Sequence, residues 1–172
     1  GSVLVSGASG GVGSIAIAIL SNLGFEVCAS TGKIDEHEFL KSIGAAEILP
    51  REDLAGDAKA PLNSERWAGV VDTVGANTLA NVLSQMKYGC SVAACGLAGG
   101  SKLDTTVIPF LLRGVNLLGI DSVVQPYDAR CATWKRMASD LPLESLDTLT
   151  QIISLSDVPN AATDILNGSV KG

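Results

Sequence analysis

The sequence predicts an α/β fold: a Rossmann-type, doubly wound parallel sheet of about six strands in a three-layer αβα arrangement. Short apolar runs alternate with longer helix-like segments along the 172 residues, which is the pattern of repeated βαβ units. The runs are almost continuously apolar, as expected for strands covered on both faces. A glycine-rich turn at 6–13 joins the first strand to the first helix, where a dinucleotide-binding fold needs one.

The apolar runs give the strands and the periodic segments between them give the helices. We expect strands at 3–5, 25–29, 48–49, 69–73, 91–95 and 115–120. We expect helices at 11–23, 35–43, 77–87, 107–113, 128–140 and 158–167, with 51–66 irregular.

Helical spacing also predicts which side chains are buried. The helix at 128–140 should bury Trp134 and Met137. The first helix should bury a stripe made of Val12, Ile15, Ala16, Ile19, Leu20 and Leu23.

Composition limits the function classes. The chain is 47% hydrophobic and 17% charged, with a net charge of −6, so we expect one domain over 1–172 and neither a nucleic-acid nor a membrane partner. The four cysteines are scattered and His37 is the single histidine, which predicts no metal site and a reducing, cytoplasmic setting. The chain begins almost directly on the first predicted strand and stops straight after a helix-like segment, where another strand could follow. This favours a fragment of a larger protein.

The turn after the first strand carries the clearest chemical signal. Gly7, Gly10 and Gly13 have the G-x-x-G-x-x-G spacing of a dinucleotide fingerprint. A side chain at Gly10 would block a pyrophosphate, and the N-terminus of the following helix offers free N–H groups and a positive dipole end. Gly13 lets the helix approach the sheet. A ligand-free tight turn is the alternative.

The end of the second strand predicts which nucleotide binds. An NAD site places an acid about 20 residues beyond the fingerprint, but Ser30, Thr31 and Lys33 occupy this region. Two hydroxyls and an ammonium suit a 2′-phosphate, so we predict NADPH as the cofactor. A solvated loop with a surface lysine is the alternative.

Three further residues have two interpretations each. Asp72, at the end of the fourth strand, is either a catalytic acid or base or a carboxylate bonded to nearby backbone N–H groups. Cys95 is either a nucleophile or a packed thiol, and the second is favoured because no histidine or cation adjoins it. Arg113 is either structural or close to the cofactor. Neither Tyr88 nor Tyr127 has a lysine four residues later, which argues against a short-chain reductase.

Five segments together resemble one family. They are SGASGGVGS at 6–14, ASTGK at 29–33, DTVG at 72–75, AACGLAGG at 93–100 and LGIDS at 118–122. They are similar to the cofactor domain of zinc-free medium-chain dehydrogenase/reductases, and most similar to the acrylyl-CoA reductase and quinone oxidoreductase group (YhdH/YhfP type). The resemblance covers nearly the whole chain.

The resemblance implies NADPH-dependent hydride transfer to an activated C=C bond of an enoyl thioester or quinone. By position, it places Ser9, Gly10, Gly11 and Val12 at the pyrophosphate and Ser30, Thr31 and Lys33 at the 2′-phosphate. The ribose and nicotinamide would be lined by Val74, Cys95, Gly96, Leu97, Gly119 and Ile120.

The resemblance also implies partners. Members carry a separate catalytic domain that this chain lacks, so the small-molecule substrate would bind through that missing domain and the isolated chain would be inactive. Members pair their sixth strands, which implies a homodimer through Val115–Ile120. The alternative function is a stand-alone NAD(P)-binding or sensing module without catalysis.

Overall fold

The computed structural model describes residues 1–58 and 60–170. Its strands are β1 (Val3–Ser6), β2 (Val27–Thr31), β3 (Ala45–Pro50), β4 (Gly69–Asp72), β5 (Ser91–Ala94) and β6 (Asn116–Gly119). The helices are α1 (Gly11–Asn22), α2 (His37–Ser42), α3 (Glu52–Ala55), α4 (Ala76–Ser84), α5 (Ile108–Arg113), α6 (Tyr127–Asp140), α7 (Leu143–Leu149) and α8 (Val158–Leu166). Short 3₁₀ turns at Ile34–Glu36 and Leu155–Asp157 precede α2 and α8.

The six strands form one sheet in the order β3-β2-β1-β4-β5-β6, and every neighbouring pair is parallel. This is the doubly wound order of a dinucleotide-binding fold, in which the chain reverses its direction of winding between β1 and β4. The predicted fold class is therefore confirmed.

Two hydrophobic clusters lie on opposite faces of the sheet and create the three layers. Alternate residues of β1 separate them: Leu4 packs with Trp67 and Leu83 on one face, and Val5 packs with Ile17 and Leu40 on the other. Side chains along a strand alternate between faces, so a short apolar strand supplies both cores.

The predicted stripe of α1 is correct only in part: Ala16 and Leu20 pack against the core, but Val12 and Leu23 are exposed. Gly13, Ser14, Ile17 and Ala18 face the sheet, whereas Val12 is 59% exposed. The reason is steric: at Gly13, α1 lies so close to the turn after β1 that a Cβ would be 2.8 Å from the Ala8 Cα. Ser14, Ile17 and Ala18 are buried together with Gly13.

Other differences have local causes. β2 starts at Val27 rather than Phe25, because Phe25 belongs to the turn that closes α1: its N–H donates to the Leu20 carbonyl. Trp134 is 61% exposed, against prediction. Helix α6 contacts α1 near its C-terminal end, where the Asn22 side chain donates to the Asp140 carbonyl. Helix α3 lies in a segment predicted to be irregular, and α7 was not predicted. In the described part of the chain, no helix has both the length and the apolar character needed to cross a bilayer.

Candidate nucleotide-binding site

A cleft of about 730 Å³ opens at the carboxyl ends of the strands, beside the β1–β4 junction. This is the position at which doubly wound sheets bind ligands. Its lining comes from the ends of the first five strands and the turns after them, from α3 and the start of α4, and from the segment after α8. It comprises Ser6, Gly7, Ser9, Gly10, Ser30, Thr31, Gly32, Lys33, Arg51, Ala55, Thr73, Val74, Gly75, Ala76, Asn77, Thr78, Ala98, Gly99 and Val170.

The turn after β1 forms the floor of the cleft. Gly7 has a φ of +59°, and a Cβ there would overlap the Thr73 hydroxyl. The Gly10 N–H donates to the Gly7 carbonyl at 3.0 Å. Helix α1 then begins at Gly11 with no acidic residue in its first turn. Its first N–H groups and its dipole favour an anion at this end.

Gly10 and Gly13 have different reasons to be glycine. A Cβ on Gly13 would lie 2.8 Å from the Ala8 Cα, whereas a Cβ on Gly10 would meet only the Gly7 carbonyl, at an ordinary 3.4 Å. Gly10 also has an extended φ of −87°, which any residue adopts. The fold therefore requires Gly13 to be bare, while at Gly10 it leaves open space above a row of N–H groups. That space fits a pyrophosphate.

One end of the cleft carries hydroxyls and cations. Ser30 and Thr31 end β2 and are buried. The Thr31 hydroxyl lies 3.3 Å from the Ser9 hydroxyl and accepts the Lys33 N–H at 3.1 Å. No acid occurs in the cleft lining within the described residues, although the chain carries a net charge of −6.

Arg51 is the residue that the sequence analysis missed. It directly follows β3, and its N–H donates to the Thr31 carbonyl at 3.0 Å. Its guanidinium lies over Gly32, where a Cβ would be 2.8 Å from Cζ. The rule that ligands bind at the carboxyl ends of parallel strands could have identified it, because β3 neighbours β2.

Lys33 lines the same end of the cleft, but its ammonium already has a partner. Nζ donates to the Val170 carbonyl at 2.9 Å. This bond holds the lysine next to the segment that follows α8, at the rim of the cleft. Because an ammonium has three donors, the other two remain for a ligand.

A second, shallower depression of about 460 Å³ collects most of the remaining predicted site residues. It is lined by Ala94, Cys95, Gly96, Leu97, Gly119, Ile120 and Asp121. It adjoins the cleft through backbone contacts, since Ala98 N–H donates to the Thr73 carbonyl and Gly99 N–H donates to the Val74 carbonyl. Gly99 therefore belongs to the wall of the cleft and not to a loose loop.

Of the predicted site residues, the cleft brings together Ser9, Gly10, Ser30, Thr31, Lys33 and Val74. Gly11 and Val12 are exposed at the start of α1, beside the cleft rather than in its lining. Among the described residues, no group of three or more His, Cys, Asp or Glu is arranged to hold a metal ion.

The structure decides between the alternatives for three residues. The carboxylate of Asp72 is fully buried and accepts from the Ser6 hydroxyl and the Gly75 N–H. Burial, and secondarily the charge of Asp72, raises the pKa of the Cys95 thiol, which donates to the Asp72 carbonyl. Arg113 donates to the carbonyls of Asn63, Ser84 and Met86. Asp72 and Arg113 are therefore structural, and Cys95 is a packed thiol.

Fold and cleft together define a Rossmann-type nucleotide-binding domain. The profile of the family described as zinc-binding dehydrogenase matches residues 11–139. The chain belongs to this family, as the cofactor-binding domain of a medium-chain dehydrogenase/reductase.

Three relatives are informative. Acrylyl-CoA reductase AcuI of Ruegeria pomeroyi is 57% identical over 172 residues, which is 100% of this chain and 52% of the relative. The crystal structure of Escherichia coli K-12 YhdH with bound NADPH is 50% identical with a TM-score of 0.97, over 100% of this chain and 53% of that one. Bacillus subtilis YhfP with NAD bound is 48% identical with a TM-score of 0.95, over 100% and 53%. The chain thus spans about half the length of the relatives it matches.

Proposed function

We propose that this chain is the cofactor-binding portion of an NADPH-dependent oxidoreductase that transfers hydride to an activated C=C bond. The observation that carries the proposal is the cleft itself, in which a bare glycine turn adjoins an acid-free end with two cations, Lys33 and Arg51. The likeness to a solved NADPH-bound relative, with a TM-score of 0.97, supports the same conclusion.

The residues fit a dinucleotide with a 2′-phosphate. Gly10 and the start of α1 would hold the pyrophosphate through backbone N–H groups. Ser30, Lys33 and Arg51 would hold the 2′-phosphate, the arginine through its planar fork of donors. One solved relative binds NAD, so the cofactor preference of this chain depends on its own donors.

The second depression would hold the nicotinamide end. Its small residues, Gly96 and Gly119, would let a flat ring lie against the backbone, and Leu97 and Ile120 would exclude water. When bound, the nicotinamide supplies a hydride. The Cys95 thiol is engaged by the Asp72 carbonyl, and the Asp121 carboxylate accepts the N–H groups of Val123 and Val124. We therefore assign this chain to binding and positioning.

The substrate class follows from the relatives and is part of the proposal. The relative from R. pomeroyi is an acrylyl-CoA reductase, so an acrylyl-CoA-like enoyl thioester is the expected substrate, with a quinone as the second candidate. Substrate would bind through a second domain of the kind that occupies the rest of the relatives' length.

A chimera tests the function. This chain replaces the matching half of E. coli YhdH, with which it is 50% identical, and NADPH oxidation is measured with acrylyl-CoA and with a quinone. We expect turnover by the chimera, none by the isolated 172-residue chain, and loss of turnover in a Gly10→Ala chimera. A folded chimera that binds NADPH but reduces neither substrate would contradict the proposal and favour a sensing module. Turnover by the isolated chain would contradict the proposal that this chain binds the cofactor and that substrate binding needs a second domain.

We further infer that the protein acts without zinc, in the cytoplasm, as a homodimer through Val115–Ile120, and without nucleic-acid or membrane partners. All four cysteines are free, which suits a reducing compartment.

Strand β6 is at the edge of the sheet, and its exposed Leu118 and the adjacent Ile120 make an unpaired edge unfavourable in water. Sedimentation that shows only monomer at high concentration would contradict the dimer.

A further inference from the structure

Asp72 ends β4 as a fully buried carboxylate beneath the cleft. Both of its oxygens are used: the Ser6 hydroxyl donates to Oδ1 at 2.6 Å and the Gly75 N–H donates to Oδ2 at 2.9 Å. It is not part of the cleft lining. A buried charge is costly unless it is fully hydrogen-bonded. The groups that Asp72 bonds to therefore indicate what this carboxylate does.

The carboxylate connects the two strands that border the cleft. The ladder between β1 and β4 ends at the pair Val5 and Val71, and the next residues along, Ser6 and Asp72, are held by side chains instead. The Ser6 hydroxyl accepts the Thr73 N–H at 3.0 Å, and the Thr73 hydroxyl donates to the Ser6 carbonyl at 2.9 Å. Side-chain bonds therefore continue the connection where the strands separate and the cleft opens.

Asp72 also holds the turn that follows β4 and the turn that follows β5. Oδ2 holds the N–H of Gly75, whose φ is +73°, and the following Ala76 has a φ of +46°, a conformation that a non-glycine residue adopts at a cost. On its other side, the Asp72 carbonyl accepts from the Cys95 N–H at 2.9 Å and from Cys95 Sγ at 3.2 Å. The turns that follow β1, β4 and β5, all of which line the cleft, are therefore all bonded to Asp72.

We propose that Asp72 is a positioning residue for the cofactor, and this rests on the proposed function. Through Ser6 and Gly75 it holds the phosphate-binding turn and the opposite wall at the separation that fits the dinucleotide. The tie depends on two acceptor oxygens in one side chain. An asparagine has one acceptor oxygen, so it can keep the bond from the Gly75 N–H but loses the bond that the Ser6 hydroxyl donates.

The test compares four variants of this chain with the unsubstituted protein by calorimetric titration with NADPH, at a temperature at which circular dichroism shows each to be folded. Asp72→Ala removes both bonds of the tie, Ser6→Ala and Asp72→Asn each remove the bond between Ser6 and residue 72, and Ser84→Ala is the matched control. Ser84 is as buried as Ser6, donates to the Asn81 carbonyl and accepts from Asn63, but does not line the cleft.

We expect Asp72→Ala to raise the Kd at least tenfold, and Ser6→Ala and Asp72→Asn to raise it about threefold to fivefold, while Ser84→Ala stays within twofold. If Asp72→Ala does not fold, Asp72→Asn decides in its place, because Asp72 does not line the cleft whereas Ser6 does. An unchanged Kd in folded Asp72→Ala, or in Asp72→Asn where that variant decides, would overturn the inference. If the unsubstituted chain does not bind NADPH, the proposed function fails and this inference fails with it. Binding by the unsubstituted chain and the broken-tie variants alike defeats the inference alone.

Discussion

Gly13 and Ala8 are in direct backbone contact. A Cβ on Gly13 would lie 2.8 Å from the Ala8 Cα, so the first turn of α1 rests on the turn that follows β1. This contact fixes the direction in which the helix leaves the turn, and with it the direction of the N–H groups at the start of α1.

Gly13→Ala should therefore destabilise the fold. Overpacking of a tight contact costs about 1–3 kcal/mol, which outweighs the roughly 0.5–1 kcal/mol that alanine gains over glycine within a helix. Chemical denaturation measures the loss. Gly10→Ala is the matched control, because its Cβ has room. Alanine is a poorer N-cap than glycine, but the loss in the free energy of unfolding should be smaller than that of Gly13→Ala. Equal stability of all three proteins would refute the close-packing role of Gly13.

Arg51→Gln should reduce the affinity for NADPH selectively. A charge-assisted hydrogen bond contributes about 1.5–3 kcal/mol, so the Kd for NADPH should rise about tenfold or more, while that for NADH stays within twofold. Lys33→Ala should have a smaller effect in the same direction, since its ammonium is shared with the Val170 carbonyl. A parallel rise for both cofactors would place Arg51 away from the 2′-phosphate.

Arg113→Met should destabilise the protein without affecting cofactor binding. The guanidinium donates to three part-buried carbonyls, those of Asn63, Ser84 and Met86, and a hydrogen bond from a charged group contributes about 1.5–3 kcal/mol. The control is Arg130→Met, which removes an exposed arginine that donates to the Ser122 carbonyl and should cost no more than about 0.5 kcal/mol. A weakened NADPH affinity in folded Arg113→Met would contradict the structural role.

Cys28 should make stability depend on alkaline pH. Burial, with a further contribution from the Glu47 carboxylate, raises the pKa of this thiol from 9.0 to about 12. Between these values the unfolded chain has lost a proton that the folded chain retains, so stability should fall as the pH rises above 9, by at most about 1.4 kcal/mol per unit. Denaturation at several pH values should show a shallower fall in Cys28→Ala. Identical slopes would indicate that the thiol ionises equally in both states.

The sheet and the glycine turn could be predicted because their signals are local. Short apolar runs such as GVVD at 69–72, placed between helix-length segments, predict strands. The spacing of Gly7, Gly10 and Gly13 predicts a turn in which the backbone is closely approached. The strand register and the reversal at β1–β4 then place Ser9, Ser30 and Val74 in one cleft.

The errors occurred where tertiary packing overrides local pattern. Periodicity assigned Val12 to the buried face of α1, but the bare backbone at Gly13 decides which face meets the sheet. Arg51 lies 18 residues beyond Lys33 in the chain, and the pairing of β2 with β3 brings its backbone to Thr31. Helical spacing also assigned Trp134 to the buried face of its helix, but its side chain is 61% exposed.

The central claim is that the open space above Gly10 is a pyrophosphate site in an NADPH-selective cleft. Calorimetric titration of the unsubstituted chain and of Gly10→Ala with NADPH and NADH tests it most directly. We predict that the unsubstituted chain binds NADPH at least tenfold more tightly than NADH, and that Gly10→Ala, although folded, loses at least tenfold in affinity for NADPH. Absence of heat with either cofactor at millimolar concentration, or full affinity in Gly10→Ala, would contradict the account.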